Sequence, residues 1–236
     1  MILKAFIVFG IFAGSLSSLA QVDTRGLTSD LYRVDEYIKR NDKTLSYSLP
    51  KEYNGSPYFN DEFVLGNIYQ GDALIAKDTP LRYNIFSNEI EVKETLDEPD
   101  EDAKPLTKTS DIYVKINEVI IVLIPYNGSD EEGSYFQVLY EGKKVDLLKK
   151  VEIEFTTPKK ASTSITRDLK GAFTNEDTYF LQTKSGRMFQ MPRAKNKKFL
   201  VFGKAQDTLK AFAKENRLNI NKEHDLKRLV FQFDNL

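Results

Sequence analysis

Residue types that commonly do chemistry are sparse in this chain. It has one histidine, His224, and no cysteine. A lone imidazole near the start of an amphipathic stretch is expected to be an exposed helix residue, not a general base or metal ligand. With no Cys and one His, the usual zinc sites lack their ligands. A Ser-His-Asp triad would need His224, and no Gly-x-Ser-x-Gly elbow supplies its serine. Neither a Gly-x-Gly-x-x-Gly turn nor a Walker sequence is present to cradle a phosphate. No cofactor and no bound metal are expected.

Four charged or mixed stretches remain. Asp61-Glu62 lies beside Tyr58 and Phe59, so acids and aromatic surface could meet as in a carbohydrate site. Glycosidases need two carboxylates across a cleft, whereas adjacent acids in a turn are usually exposed. Glu94–Asp102 holds six carboxylates, no basic residue and Pro99. It reads as a solvated loop, because a calcium loop needs alternating ligands, a Gly at its turn and a closing Glu. Arg193, Lys195, Lys197 and Lys198 form a basic cluster. Its plain reading is a solvated loop, and its functional reading is a contact for phosphates or acidic glycans. Finally, Arg82, Asn84 and Phe86 share one face of an alternating run. That mixed face is the candidate partner-binding surface, unless another part of the chain covers it.

The elements that must position these residues are mostly β. Phe63–Tyr69 and Ala73–Ala76 read as strands around the Gln70-Gly71-Asp72 turn, and Thr79-Pro80 breaks the pattern. Leu81–Phe86 then alternates, with Leu81, Tyr83 and Ile85 on the core face. After Ser87-Asn88, Glu89–Lys93 alternates again with Ile90 and Val92 inward, the mark of a hairpin. Val119–Ile124 is continuously apolar, as in a strand buried on both faces. Tyr135–Tyr140 and Lys143–Leu148 form a second hairpin, and Thr178–Thr183 with Arg187–Met191 a third. Phe199–Phe202 reads as a last short strand. Toward the N-terminus, Leu45–Leu49 alternates as a strand, while Leu31–Arg40 fits a helix or an edge strand equally.

Two helices end the chain. In Gln206–Arg217, Leu209, Phe212 and Ala213 share a face. In Lys222–Phe233, Leu226, Leu229, Val230 and Phe233 follow the i, i+3, i+4, i+7 rule, with Asn221 as the expected cap. The expected fold is therefore mainly β. It is an antiparallel meander, sandwich-like or half-barrel-like, with a C-terminal helical hairpin packed on it.

The first twenty residues form a separate module. Lys4 precedes the apolar run Ala5–Ala13, and Ser18-Leu19-Ala20 offers small residues to a signal peptidase. This predicts a secretory signal peptide over 1–20, cleaved before Gln21. The apolar run is broken by Gly14, Ser15, Ser17 and Ser18, too early for a membrane anchor. The β-rich domain is expected over 21–203 and the helical hairpin over 204–236. Net charge is −1, which gives no global field toward nucleic acid, so none is expected as a partner.

The segments Gly55–Tyr58, Asn60–Phe63, Leu81–Asn84 and Glu89–Val92 read GSPY, NDEF, LRYN and EIEV. With the C-terminal hairpin, they resemble a family of exported proteins of unknown function common in Bacteroidota genomes. The resemblance covers most of the chain beyond residue 20. It implies a Gram-negative envelope and hence the periplasm, and it carries no activity to any residue. The extracellular space is the other destination.

Export, a β-rich fold and no workable catalytic set together predict a non-enzymatic envelope protein. It would act as a binding or structural module with an envelope protein or lipid as partner. Two alternatives stay open. One is a carrier of a lipid or other apolar ligand in a curved sheet. The other is a carboxylate-dependent glycan hydrolase using Asp61 or Glu62.

Overall fold

A computed structural model describes residues 52–126, 128–161, 163 and 167–236. The expected signal peptide over 1–20 and its expected cleavage site, with Leu31–Arg40 and Leu45–Leu49, lie outside the described residues.

The fold is mainly β, one open mixed sheet with helices at the C-terminal end. Its strands are β1 (Tyr53–Asn54), β2 (Val64–Gln70), β3 (Ala73–Asn84), β4 (Glu89–Val92), β5 (Lys104–Pro105) and β6 (Ile112–Ile116). There follow β7 (Val119–Tyr126), β8 (Ser129–Glu141), β9 (Val145–Thr156), β10 (Gly171–Thr183) and β11 (Met188–Gln190). The spatial order is β1-β10-β9-β8-β7-β6-β2-β3-β4-β5, with β11 also on β10. All pairs are antiparallel except β1 on β10. The expected meander is thus two meanders. The chain runs β2 to β5, then returns to lay β6 on the other edge of β2. The acidic loop lies inside one sheet and does not divide one sheet from another.

The alternating runs behave as their periodicity requires. Leu81, Tyr83 and Ile85 enter the first core, with Ile90, Val92, Val114, Ile121 and Leu123. Burial on that face fixes the register, because a slip of one residue would turn every apolar side chain outward. The sheet also curls. Tyr83 on β3 and Tyr135 on β8 are separated in strand order by β2, β6 and β7. Their rings nevertheless meet, with centroids 5.6 Å apart.

Residues 53–59 strap the two ends of this curl together. Tyr53 and Asn54 pair with Gly171 and Ala172 of β10. A few residues on, Tyr58 bridges Asn84, and the Phe59 amide donates to the Tyr83 carbonyl at 2.9 Å. Gly55 makes the crossing, with φ +78 and a hypothetical Cβ only 2.6 Å from the Phe173 carbonyl oxygen. A side chain has no room there, and glycine alone adopts that backbone cheaply.

Three local expectations change. The two strands foreseen around Thr79-Pro80 are one strand, β3. Asp78, at φ 49, absorbs the irregularity as a bulge, and its amide donates to Asn67 Oδ1 at 3.1 Å. Pro80 is tolerated beside that bulge because a bulge already interrupts the ladder. Phe199–Phe202 is not a strand. It belongs to a 3₁₀ segment, Phe199–Ala205, that follows helix α1 (Lys195–Lys198). Helix α2 is Gln206–Glu215 and α3 is Glu223–Asp234. Lys222, not Asn221, sits at the N-cap of α3, without a side-chain cap. The Asp225 carboxylate instead reaches back to accept the Asn219 amide at 2.8 Å.

The helices form a second core on the ends of β8–β10. Leu209, Leu226, Leu229 and Val230 pack there with Val145, Leu147 and Leu181. Among the described residues, no helix is long and apolar enough to cross a membrane.

Candidate functional site

Two of the places that gather charged side chains differ in kind. The first lies on β3 and β4, opposite the first core. Arg82 is 5 % exposed and Glu91 is fully buried. Arg82 Nε donates to Glu91 Oε2 at 2.8 Å, and Asn84 Nδ2 to Glu91 Oε1 at 2.9 Å. The cross-strand register brings this about, since Arg82 stands opposite Glu91. Arg82 Nη1 also reaches Asp100 Oδ2 at 2.7 Å, and the Asp61 carbonyl at 3.2 Å.

Lys93 Nζ joins the same Asp100 carboxylate at 3.1 Å. The guanidinium carbon lies 3.9 Å from the Tyr58 ring centroid and 4.2 Å from that of Phe63, close enough for cation–π attraction. Burial disfavours the Arg82 charge, but Glu91, then Tyr58 and Asp100, outweigh burial and hold its pKa above the usual value.

This cluster holds the strap and the acidic loop to the sheet. Arg82, Asn84 and Glu91 point into the protein, and Asp100 closes the cluster from its exposed rim. The segments GSPY, NDEF, LRYN and EIEV converge here: Tyr58, Asp61, Phe63, Arg82, Asn84 and Glu91 are neighbours. Arg82 and Asn84 are covered by the chain itself, the second of the two outcomes open to that face. Phe86, the third residue of the candidate surface, is half-buried and packs edge-on against Phe173, centroids 5.4 Å apart.

The other single residues are placed plainly. The side chains of Asp61 and Glu62 are exposed and adjacent. His224 is exposed on α3, its Nε2 3.2 Å from Asp225 Oδ1. Six carboxylates in the acidic loop do not gather, and only Asp100 enters the buried network. Among the described residues, no group of three or more His, Asp or Glu is placed to hold a metal.

The second place is in the helical cap. A cleft of about 450 Å³ is walled by Lys195, Lys210, Lys214 and Arg217, over an apolar floor of Phe199, Ala213, Leu218 and Ile220. Its size falls within the range of small-ligand sites. Lys210 and Lys214 are one helical turn apart on α2, so their ammonium groups stand in a row. Lys195 comes from α1, brought opposite by the 3₁₀ segment. Lys210 has a partner in Asp207 at 3.4 Å. Among the described residues, no carboxylate lies within ion-pair distance of Lys195, Lys214 or Arg217.

Arg217 is held in a conformation that glycine would take more cheaply. Helix α2 ends in a Schellman turn, with the Leu218 amide donating to the Ala213 carbonyl at 2.8 Å and the Arg217 amide to the Lys214 carbonyl at 3.2 Å. Such turns need a left-handed residue after the C-cap, usually Gly. Here it is Arg217, with φ 53.

Of the basic cluster foreseen from the sequence, Lys195 enters this cleft. Arg193 pairs with Glu176 on β10. Lys198 is buried behind the cleft floor, with Nζ 3.3 Å from the Ile220 carbonyl. Burial lowers its pKa below the usual lysine value. Lys210, Lys214 and Arg217 were not singled out by the sequence reading. Their i, i+4 and i+7 spacing on one predicted helix is the signal that could have found them.

No protein-family model, curated protein or solved structure matches the chain.

Proposed function

We propose that this protein is an exported, non-enzymatic binding module of the periplasmic envelope, which presents its basic helical cap to an anionic partner. The observation that carries the reading is the cleft of the cap, where Lys195, Lys214 and Arg217 face an apolar floor without carboxylate partners among the described residues. Unpaired cations beside apolar surface cost little while solvated, and they gain most when an anion arrives. The sheet serves as a rigid base, since its buried charges Arg82 and Glu91 are spent on each other.

The alternatives draw less support. The inward face of the curved sheet is filled by Ile68, Leu81, Ile90, Ile116 and Ile121, each fully buried, which weighs against an apolar carrier. Asp61 and Glu62 point to solvent from one turn, which weighs against a two-carboxylate hydrolase.

The test is capture from gently solubilised envelopes by the tagged protein, compared with a Lys210→Glu/Lys214→Glu variant. Material bound stoichiometrically by the parent and lost by the variant is the expected result. Equal capture by both, or none by either, would overturn the reading.

A further inference from the structure

The cleft belongs to a larger basic surface. Between Arg193 and Arg217 the chain carries eight basic and two acidic side chains, a net of +6, while the whole chain is −1. The remainder is therefore net acidic, and this stretch is a strongly basic part of the chain. Lys195, Lys197, Lys204, Lys210, Lys214 and Arg217 are all exposed there. On the same stretch of chain Leu200 stands 57 % exposed in the 3₁₀ segment, one residue after Phe199 of the cleft floor.

The combination selects a partner. A solvent-facing leucine on a lysine-rich segment matches the requirements of an anionic bilayer surface, with charge for the headgroups and an apolar tip for the acyl boundary. From Lys210 to Lys214 the helix rises roughly 6 Å, and Arg217 carries the basic row past the helix end. Arg217 adds a planar donor fork suited to phosphate oxygens.

We infer that the helical cap docks on an anionic lipid surface, with headgroup phosphate in the Lys195–Lys210–Lys214–Arg217 cleft and Leu200 inserted beside it. This rests on the binding-module reading above and names its partner as lipid headgroups rather than an acidic protein.

The experiment is co-sedimentation with vesicles. The chain is expressed from Gln21 onward, so that the apolar leader cannot itself insert. Mixed phosphatidylglycerol–phosphatidylcholine vesicles are compared with pure phosphatidylcholine. Binding is expected to the anionic vesicles alone, and to be lost between about 0.1 M and about 1 M salt as screening shortens to roughly 3 Å. Each neutralised cation should weaken partitioning about fivefold, so Lys210→Gln/Lys214→Gln/Arg217→Gly should lose roughly a hundredfold. Leu200→Ser should lose about tenfold on the same vesicles without changing the salt dependence. Thermal melts of each variant establish that it is folded.

No binding to anionic vesicles, or equal binding by the triple variant, overturns the inference. If vesicles are not bound while an envelope protein is captured through the same lysines, the inference falls and the binding-module reading stands. If neither occurs, both fall.

Discussion

The Asp234 carboxylate at the end of α3 lies 2.6 Å from the amide nitrogen of Lys144, in the hairpin between β8 and β9. It also accepts the amides of Lys143 at 2.7 Å and Val145 at 3.1 Å, and the Tyr140 hydroxyl at 3.2 Å. One buried anion thus satisfies four donors and fastens the last helix to the sheet. The approach is so close that a Cβ on Gly142 would sit 2.7 Å from that carboxylate.

Replacing Asp234 should therefore be costly and pH-dependent. Burial alone would raise its pKa, but the three backbone donors and Tyr140 outweigh burial and lower it to about 2. A depressed carboxylate stabilises the fold above its unfolded pKa, near 3.8, and that contribution is lost as pH falls through about 2. Asp234→Ala is expected to cost about 3 kcal/mol near neutrality, since it strands buried donors. Urea unfolding of the parent and Asp234→Asn from pH 5 downward should show their difference shrinking below about pH 4. A constant difference would mean the charge is not what holds the helix.

The Arg82–Glu91 pair predicts a different pattern. Both side chains are sequestered, so removing Arg82 leaves Glu91 without a cation, and removing Glu91 leaves Arg82 with Asp100 alone. Glu91→Leu and Arg82→Met are each expected to lose about 3–5 kcal/mol in chemical denaturation. The double variant should recover a large part of that loss, because both desolvation penalties vanish together. Additive losses in the double-mutant cycle would contradict this account.

At Arg217 stability and binding should separate. Arg217→Gly relieves a left-handed non-glycine residue and should raise stability by about 1 kcal/mol. It should weaken anionic binding at the same time. A thermal melt beside a vesicle-binding curve checks both signs in one preparation.

Lys198 offers a test of opposite sign. Its ammonium is buried with a carbonyl partner, and burial lowers its pKa. The folded state thus disfavours the protonated form relative to the unfolded chain. Stability from this group should rise with pH from the lowered folded pKa up to the unfolded value, near 10.5. Lys198→Met, of similar length, should be neutral or stabilising at pH 7 and should flatten that rise. Denaturant midpoints across alkaline pH measure it.

How much of this could be read in advance depends on the reach of each interaction. The inward set Leu81, Tyr83 and Ile85 was legible because alternation is a property of neighbours. So were the apolar faces of α2 and α3. The fate of Arg82 and Asn84 was not, since it turns on Tyr58, Glu91 and Asp100, set by strand register and loop return. Phe199–Phe202 misled because its composition suits a strand equally well, and helical context decided the matter. Asp234 left a faint trace. A carboxylate at a helix C-terminus opposes the helix dipole, and that mismatch hints at donors supplied from elsewhere. The cleft combined both cases, with Lys210, Lys214 and Arg217 readable as one face and Lys195 placed only by tertiary folding.

The strap of residues 53–59 fixes a chronology for the molecule. A chain emerges N-terminus first, from a ribosome or a translocation channel. Tyr53 therefore leaves early, yet its partner Gly171 follows more than a hundred residues later. Until β10 has emerged the two ends of the curl stay unjoined. The protein thus delays its own closure by the order in which its residues arrive.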